Sequence, residues 1–513
     1  MKKILHIILV LGASAAVFSC TRDFDKINTN PNAISTVVPD QLLAPALTSA
    51  IGYNMIRNRN FNNELMQVTV TLTEGEGSVF RYDYRPNMSD YLYNGLYSEI
   101  TNFRDVYKSA AAAATPNKSY MGISLICQSW LYSILTDTYG DIPYIQANQG
   151  KGEDGSIVEP AFDRQQDIYL TMFDTLEKAN MLLTAGDKIN ADADPVYHGD
   201  VSKWRKFGNS LYLRLLLRVS GKQDVSQKVI SKIQQIVDAN PEDYPIMTDN
   251  DESAILRWTG VSPYISPYVN RVRAQDFRAV ALCDFFINNL LIWSDPRLDG
   301  VNYGIDGINR LGISKSNGFY MGTPSGYTPG EDVSVLSHFY AIDETVAGKT
   351  PPAITMQSEA KTGMMLNYAE VQFMLAEAAA KGWISGPAQK YYEQGAKSSI
   401  TLWVSDWNGD IEAYLSNAGM QWDENASIDN KMEKIMLQKY YALLFTDLQQ
   451  WFEYRRTGHP VLPKGRGLKN DGIMPARMVY PAYIQSTNPT NYKQAIANQG
   501  PDKINTQVWW QKP

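Results

Sequence analysis

Chemistry in a chain of 513 residues would have to come from a few side-chain types, and most are arranged unpromisingly. Beyond the first twenty residues there are three histidines, His198, His338 and His459, each in a different context. None has the neighbours that a general base or a zinc site requires. No HExxH, GxSxG, phosphate-binding GxxxxGK[ST], GxGxxG or CxxC pair occurs, so the commonest hydrolase, nucleotide and redox motifs are excluded. A pair of carboxylates for glycoside hydrolysis leaves no trace in a sequence, and that reading stays open. The acidic run TDNDES, with Asp249 to Ser253 at its heart, offers oxygen ligands for calcium but lacks EF-hand spacing; it reads as a solvated loop. No cofactor is expected.

Aromatic residues carry more information. Tyrosine outnumbers phenylalanine 31 to 16, and tyrosine suits a surface that is apolar on its face and wet at its edge. Two groups fall where the pattern predicts loops. One is FRYDYRPN, with Arg81, Tyr82, Tyr84, Arg85 and Asn87. The other is spread along a Pro-, Gly- and Tyr-rich stretch and includes Trp258, Tyr264, Tyr268, Tyr303 and Tyr320, followed by Tyr327, Phe339 and Tyr340. Flat rings stack on sugar faces or peptide side chains, while Arg and Asn bind hydroxyls or carbonyls. These ten, from Arg81 to Tyr320, are the candidate ligand-binding residues.

Helices must position them. Apolar periodicity predicts helices over Gln41–Tyr53, Asn60–Thr73, Ser89–Ala114, Ser119–Thr138, Arg164–Leu183, Lys203–Ser220 and Asp224–Ala239. From about 240 to 362 the period survives only over Asp276–Leu291. It resumes at Leu366–Gly382 and Pro387–Trp403, a hairpin of roughly 34 residues, the size of a tetratricopeptide unit. Asn430 to Pro460 reads as one long buried helix of about 27 residues, ~40 Å. Asn430 and Glu433 would form its capping box, and Gly458 and Pro460 would stop it. Arg455 and Arg456 in its last turn should pair with carboxylates such as Glu453. Arg214 and Arg218, one turn apart, should hold carboxylates of neighbouring helices.

The amino terminus carries Lys2, Lys3, an apolar run and small Ser19 before Cys20, a secretory signal peptide over 1–19. Cys20 at the cleavage point is the expected lipidation site, anchoring without spanning; residues 20–40 form a tether. Without Lys2 and Lys3, 45 basic residues face 54 acidic ones, a net charge of −9. That balance argues against nucleic-acid binding. No later apolar run approaches the ~20 residues of a membrane span. Cys127 and Cys283 sit in apolar helical contexts and read as buried thiols.

Several stretches carry a resemblance. DFDKINTNPNA, YGDIPY at Tyr139–Tyr144, KWRKFGNSLYLRLLLRVS, QKYYALLF to WFEYRRTGHP, and the ending with IMPARMVYP and QVWW are similar to the SusD/RagB family of bacterial surface lipoproteins. The resemblance implies a mainly α fold, a SusD-like α-α superhelix. Its tetratricopeptide-like scaffold would occupy 41–239 and 363–460, with a loop-rich ligand-binding insert at about 240–362 and an irregular tail over 461–513. It further implies a non-catalytic, palmitate-bearing lipoprotein of the outer-membrane surface that captures oligosaccharides. The partner would be a SusC-like TonB-dependent transporter, on which the protein sits as a lid. The same role for peptides is the alternative, a surface glycoside hydrolase a more distant one, and a purely structural helical scaffold another. Starch-binding members carry a tryptophan before the first repeat helix. Here no tryptophan precedes Trp130, and Tyr82, Tyr84 and Arg85 occupy the place, which points away from starch.

Overall fold

A computed structural model describes residues 38–150, 156–268, 278–304, 307–340, 356 and 359–512. The signal peptide, Cys20 and nearly all of the tether lie outside the described residues.

The chain is mainly α and is built from antiparallel helical hairpins. Helix α1 (Pro39–Arg57) packs on α2 (Met88–Ala112), α2 on α3 (Lys118–Tyr139), α3 on α4 (Gln165–Leu183), and α4 on α5 (Val201–Val219). Helix α6 (Ser226–Gln234) follows. Each carries an apolar stripe that only its neighbours can cover; Leu92, Leu96, Ile100 and Phe103 of α2 are fully buried. Asn117 and Asp200 cap α3 and α5 by accepting hydrogen bonds from backbone N–H groups of the first turn.

The insert is held by two short antiparallel pairs. Strand β1 (Thr69–Thr71) pairs with β3 (Val280–Leu282), Val70 opposite Ala281. Strand β2 (Ala254–Leu256) pairs with β4 (Gly363–Leu366), with a shift of register at Ala254 and Ile255. Two helical expectations are corrected here. The segment over Asn60–Thr73 stops being helical at Leu65, because Val68, Thr69, Val70 and Thr71 favour a strand and find a partner. The helix expected over 276–291 is α7 (Asp284–Ile292), with β3 occupying 280–282; residues 276 and 277 lie outside the described residues.

Helices α8 (Tyr368–Ala380) and α9 (Ala388–Trp403) form the expected hairpin, followed by α10 (Ile411–Asn417). The long helix over 430–460 is corrected to two: α11 (Ile428–Ala442) and α12 (Gln449–Thr457). Ser427, not Asn430, caps α11, and Glu433 reaches across to His459 at 2.6 Å. Between the helices Phe445 and Asp447 take positive φ angles of 68° and 29°. Tertiary contacts outweigh local propensity there. Phe445 packs against Tyr268, Phe339 and Trp403, while Asp447 accepts from Leu448 N–H and Gln449 Nε2. Gly458 ends α12 in the left-handed conformation (φ 78°) as expected. The tail, expected irregular, contains α13 (Pro489–Gln499), started by Pro489 and stopped by Gly500.

Buried ion pairs lock the hairpins together. Arg214 of α5 grips Glu370 of α8 with two bonds of 2.8 and 2.6 Å. Arg218 lies 3.2 Å from Glu453 and 3.7 Å from Asp137. Arg456 binds Glu377 and Glu453, whereas Arg455 does not pair with Glu453. Its guanidinium lies 3.8 Å over the Trp451 ring and donates to the carbonyls of Asp137 and Ala476.

Candidate functional site

The ten candidate residues fall into separate environments. In the 80–87 loop a turn over Val79–Arg81 ends at Tyr82 with φ 62°. Arg81 is buried, its guanidinium 4.7 Å from the Phe80 ring and 4.5 Å from the Tyr327 ring. It donates to the carbonyls of Tyr327 and Thr73, which makes it a clasp between loop and insert. Tyr82 and Tyr84 are also buried, and burial raises both phenol pKa values. Tyr84 places its ring edge on Phe61 and donates its hydroxyl to the Arg477 carbonyl. Only Arg85 and Asn87 of this group are exposed.

In the insert, Tyr268 is buried, meets Phe445 edge-on at 5.4 Å, and accepts from Asn63 Nδ2 at 2.8 Å. Its carbonyl receives the Arg59 guanidinium. Tyr264 is half-buried in a tight turn, its N–H donating to the Val261 carbonyl. Tyr303 and Tyr320 are half-buried; Tyr320 accepts from Asn309 Nδ2 at 2.8 Å and has Lys315 Nζ 5.0 Å from its ring centre. Trp258 has 2% exposure and an indole N–H with no partner among the described residues.

Of the ten, Trp258 lines an open cleft with a volume of about 390 Å³. Its floor is the solvent-facing side of α1, where Thr48, Ser49, Gly52, Tyr53 and Ile56 recur at helical spacing. The opposite side of α1, with Leu43, Leu47, Ala50 and Ile51, is in the core. Tyr91 of α2 forms one wall; Trp258, Pro263, Ile265 and Pro267 form the other. The Tyr53 and Tyr91 rings lie 5.1 Å apart, tilted by 60°. Arg57 sits 4.9 Å from the centre of the Tyr91 ring and donates to the Met88 carbonyl at 2.7 Å. A Cβ at Gly52 would meet the Pro267 ring at 3.7 Å, an ordinary van der Waals distance.

Sequence reasoning missed Tyr53, Tyr91 and Ile265. Helical aromatics are ordinarily core residues, but Tyr91 is 40% exposed. The available signal was the polar and small character of Thr48, Ser49 and Gly52 flanking Tyr53. Among the described residues the cleft lining holds no carboxylate, histidine or cysteine, and those residues offer surfaces and hydroxyls.

The acidic turn at 249–253 uses its carboxylates internally. Asp249 accepts from the N–H groups of Asp251 and Glu252, and Glu252 binds Lys206 and Thr248. Among the described residues no group of three or more His, Cys, Asp or Glu is placed to hold a metal. The histidines stay apart, His338 against Ser314 and His459 between Glu433 and Asp429. Cys127 and Cys283 are buried free thiols.

Residues 31–481 match the SusD-like family described as "Starch-binding associating with outer membrane". The chain belongs to that family. No curated protein matches it. Among solved structures it is similar to a SusD homolog from Bacteroides uniformis, 23% identical over 93% of this chain and 99% of the other, with a TM-score of 0.75. A SusD homolog from Bacteroides fragilis is 24% identical over 93% and 100%, TM-score 0.73. A chitin-binding SusD homolog from Flavobacterium johnsoniae is 21% identical over 92% and 98%, TM-score 0.73. Among the described residues no helix is long and apolar enough to cross a membrane.

Proposed function

We propose that this chain is a non-catalytic, lipid-anchored protein of the outer-membrane surface that captures oligosaccharides and hands them to a TonB-dependent transporter. The observation that carries the reading is the aromatic cleft between α1, α2 and the insert, on a SusD-like scaffold. The C–H faces of a pyranose ring fit against Tyr53 and Tyr91, and Thr48 and Ser49 supply hydroxyls for its polar edge. The described lining residues include no carboxylate or histidine, which favours capture over hydrolysis. The chitin-binding relative supports a glycan as the cargo class.

The test is calorimetric titration of the mature chain, carrying Cys20→Ala, with a panel of oligosaccharides beside a peptide digest. One glycan class should bind saturably, and Tyr91→Ala should weaken it about tenfold, ~1.4 kcal/mol, without lowering Tm, since Tyr91 is part-exposed. Binding of peptides alone would move the protein to peptide capture. Release of reducing ends would establish a hydrolase and sink the reading. Deleting the partner transporter should abolish import and leave binding unchanged; import surviving that deletion would remove the hand-off.

A further inference from the structure

A second cavity shares no residue with the aromatic cleft. It has a volume of about 270 Å³ and lies where the end of α3, the start of α4 and the carboxyl-terminal tail meet. One wall is Trp509, a half-buried tryptophan in the turn over Trp509–Gln511. Its ring is held by Tyr169, centroids 6.2 Å apart, and by Lys222, whose Nζ lies 5.7 Å from the ring centre.

The other walls are almost wholly polar. Arg164 and Asn498 are exposed and Gln166 is half-buried, while Asp141, Gln165 and Gln499 are buried. The buried groups are fixed in orientation. Gln499 Oε1 accepts from Asp141 N–H at 3.0 Å, and its Nε2 donates to the Tyr480 hydroxyl at 2.7 Å. Asp141 Oδ1 accepts from Gln165 N–H at 3.0 Å. Gln165 Nε2 donates to the Thr136 carbonyl at 2.7 Å, but Oε1 of this fully buried side chain has no partner among the described residues. An acceptor buried without a donor costs stability.

Charge selects the ligand class. The lining holds the cations Arg164 and Lys512 and the carboxylate of Asp141, and just outside it Asp224 accepts from the lining residue Gln166 at 2.7 Å. The balance is near zero, which disfavours an anion or a cation and suits hydroxyls read by planar amides beside an aromatic face. The volume falls just below the ~300–1,000 Å³ of sites for drug-sized molecules. We infer that this cavity binds a neutral terminal sugar residue, with Trp509 as its platform and Gln166, Asn498 and Arg164 as hydroxyl partners. The inference does not depend on the aromatic cleft being the principal capture site.

The test uses the full mature chain labelled with 5-fluorotryptophan, with the Trp509 fluorine resonance assigned through Trp509→Phe. The probes are methyl α-glucoside, methyl β-galactoside and methyl N-acetyl-β-glucosaminide, with sodium glucuronate and inorganic phosphate as the anionic arm. At least one neutral glycoside should shift the Trp509 resonance saturably. Asn498→Ala, at an exposed position, should weaken that response about fivefold or more, and Tyr91→Ala should leave it unchanged. No saturable shift with any neutral glycoside, or a response only to glucuronate or phosphate, would overturn the inference. So would a response abolished by Tyr91→Ala, because it would then report the other cleft.

Discussion

Arginine 81 and Tyr84 show how a residue's type can be read correctly and its role missed. Both are cationic or aromatic residues in a loop, as a sugar site demands, yet both are spent on closing the loop against the insert and tail. Titratable residues in the interior behave by similar logic. Glu64 is buried near Thr71, whose hydroxyl donates to it at 2.6 Å. Burial raises its carboxyl to about 7 against the hydrogen bonds from Thr71 and the Phe80 N–H. A raised carboxyl pKa means that the folded state holds its proton more tightly than the unfolded state does. Stability therefore falls as pH rises from ~4.5 to about 7, by a few kcal/mol at most. Glu64→Gln should raise Tm at pH 8 and leave it nearly unchanged at pH 4.5, measured by thermal melts. His459 works in the same direction, over a higher pH window. Hydrogen bonding to Glu433 raises its pKa, opposed by burial and reinforced by the charges of Glu433 and Asp429. Its contribution is full below the ordinary value near 6.5 and is lost as pH climbs through the raised value. His459→Gln should flatten the Tm-versus-pH curve over that window; an unchanged curve would show the clasp to be inert.

Among elements, the break between α11 and α12 is the instructive case. Apolar spacing from Met432 to Trp451 fits one helix, and nothing local in YALLFTDLQQ forbids it. The helix is interrupted because Phe445 gains three aromatic neighbours in the insert and scaffold and Asp447 gains buried donors. The arginines of α5 were legible because two cations one turn apart on an apolar helix need carboxylates. The partner Glu370 was not, since it lies 156 positions away. Breaking that pair should be costly: Arg214→Met would leave Glu370 buried and unpaired, lowering stability by about 3–5 kcal/mol. Arg214→Met with Glu370→Leu should recover most of the loss. Chemical denaturation of both variants measures this, and a double variant no better than the single would mean that the helices need the charge itself.

For the whole molecule, hairpin geometry sets where binding surfaces arise. Helix α1 and α2 present one face to the core and leave a strip of Thr48, Ser49, Tyr53 and Tyr91 to be met by the insert. The insert reaches that strip because β2 and β4 pin its two ends together. The proposed lipid anchor sets a test at the amino terminus. Cys20→Ala should release the protein from the outer-membrane fraction, as a lipid anchor requires, while ligand binding in solution persists. Membrane retention of the variant, followed by fractionation and immunoblotting, would point to another mode of attachment.

Amphipathic periodicity, capping residues and turn signals determined most of the scaffold helices, because those preferences act within a few turns of chain. The mainly α class and the hairpin over 367–403 followed from them, and the family resemblance followed from contiguous motifs. Tertiary structure alone decided which aromatics face water, where Glu370 and Glu453 find their arginines, and where a helix must break. Burial and ion pairing depend on residues hundreds of positions apart. A loop tyrosine that becomes core and a helical tyrosine that becomes the wall of a cleft differ only in what folds against them.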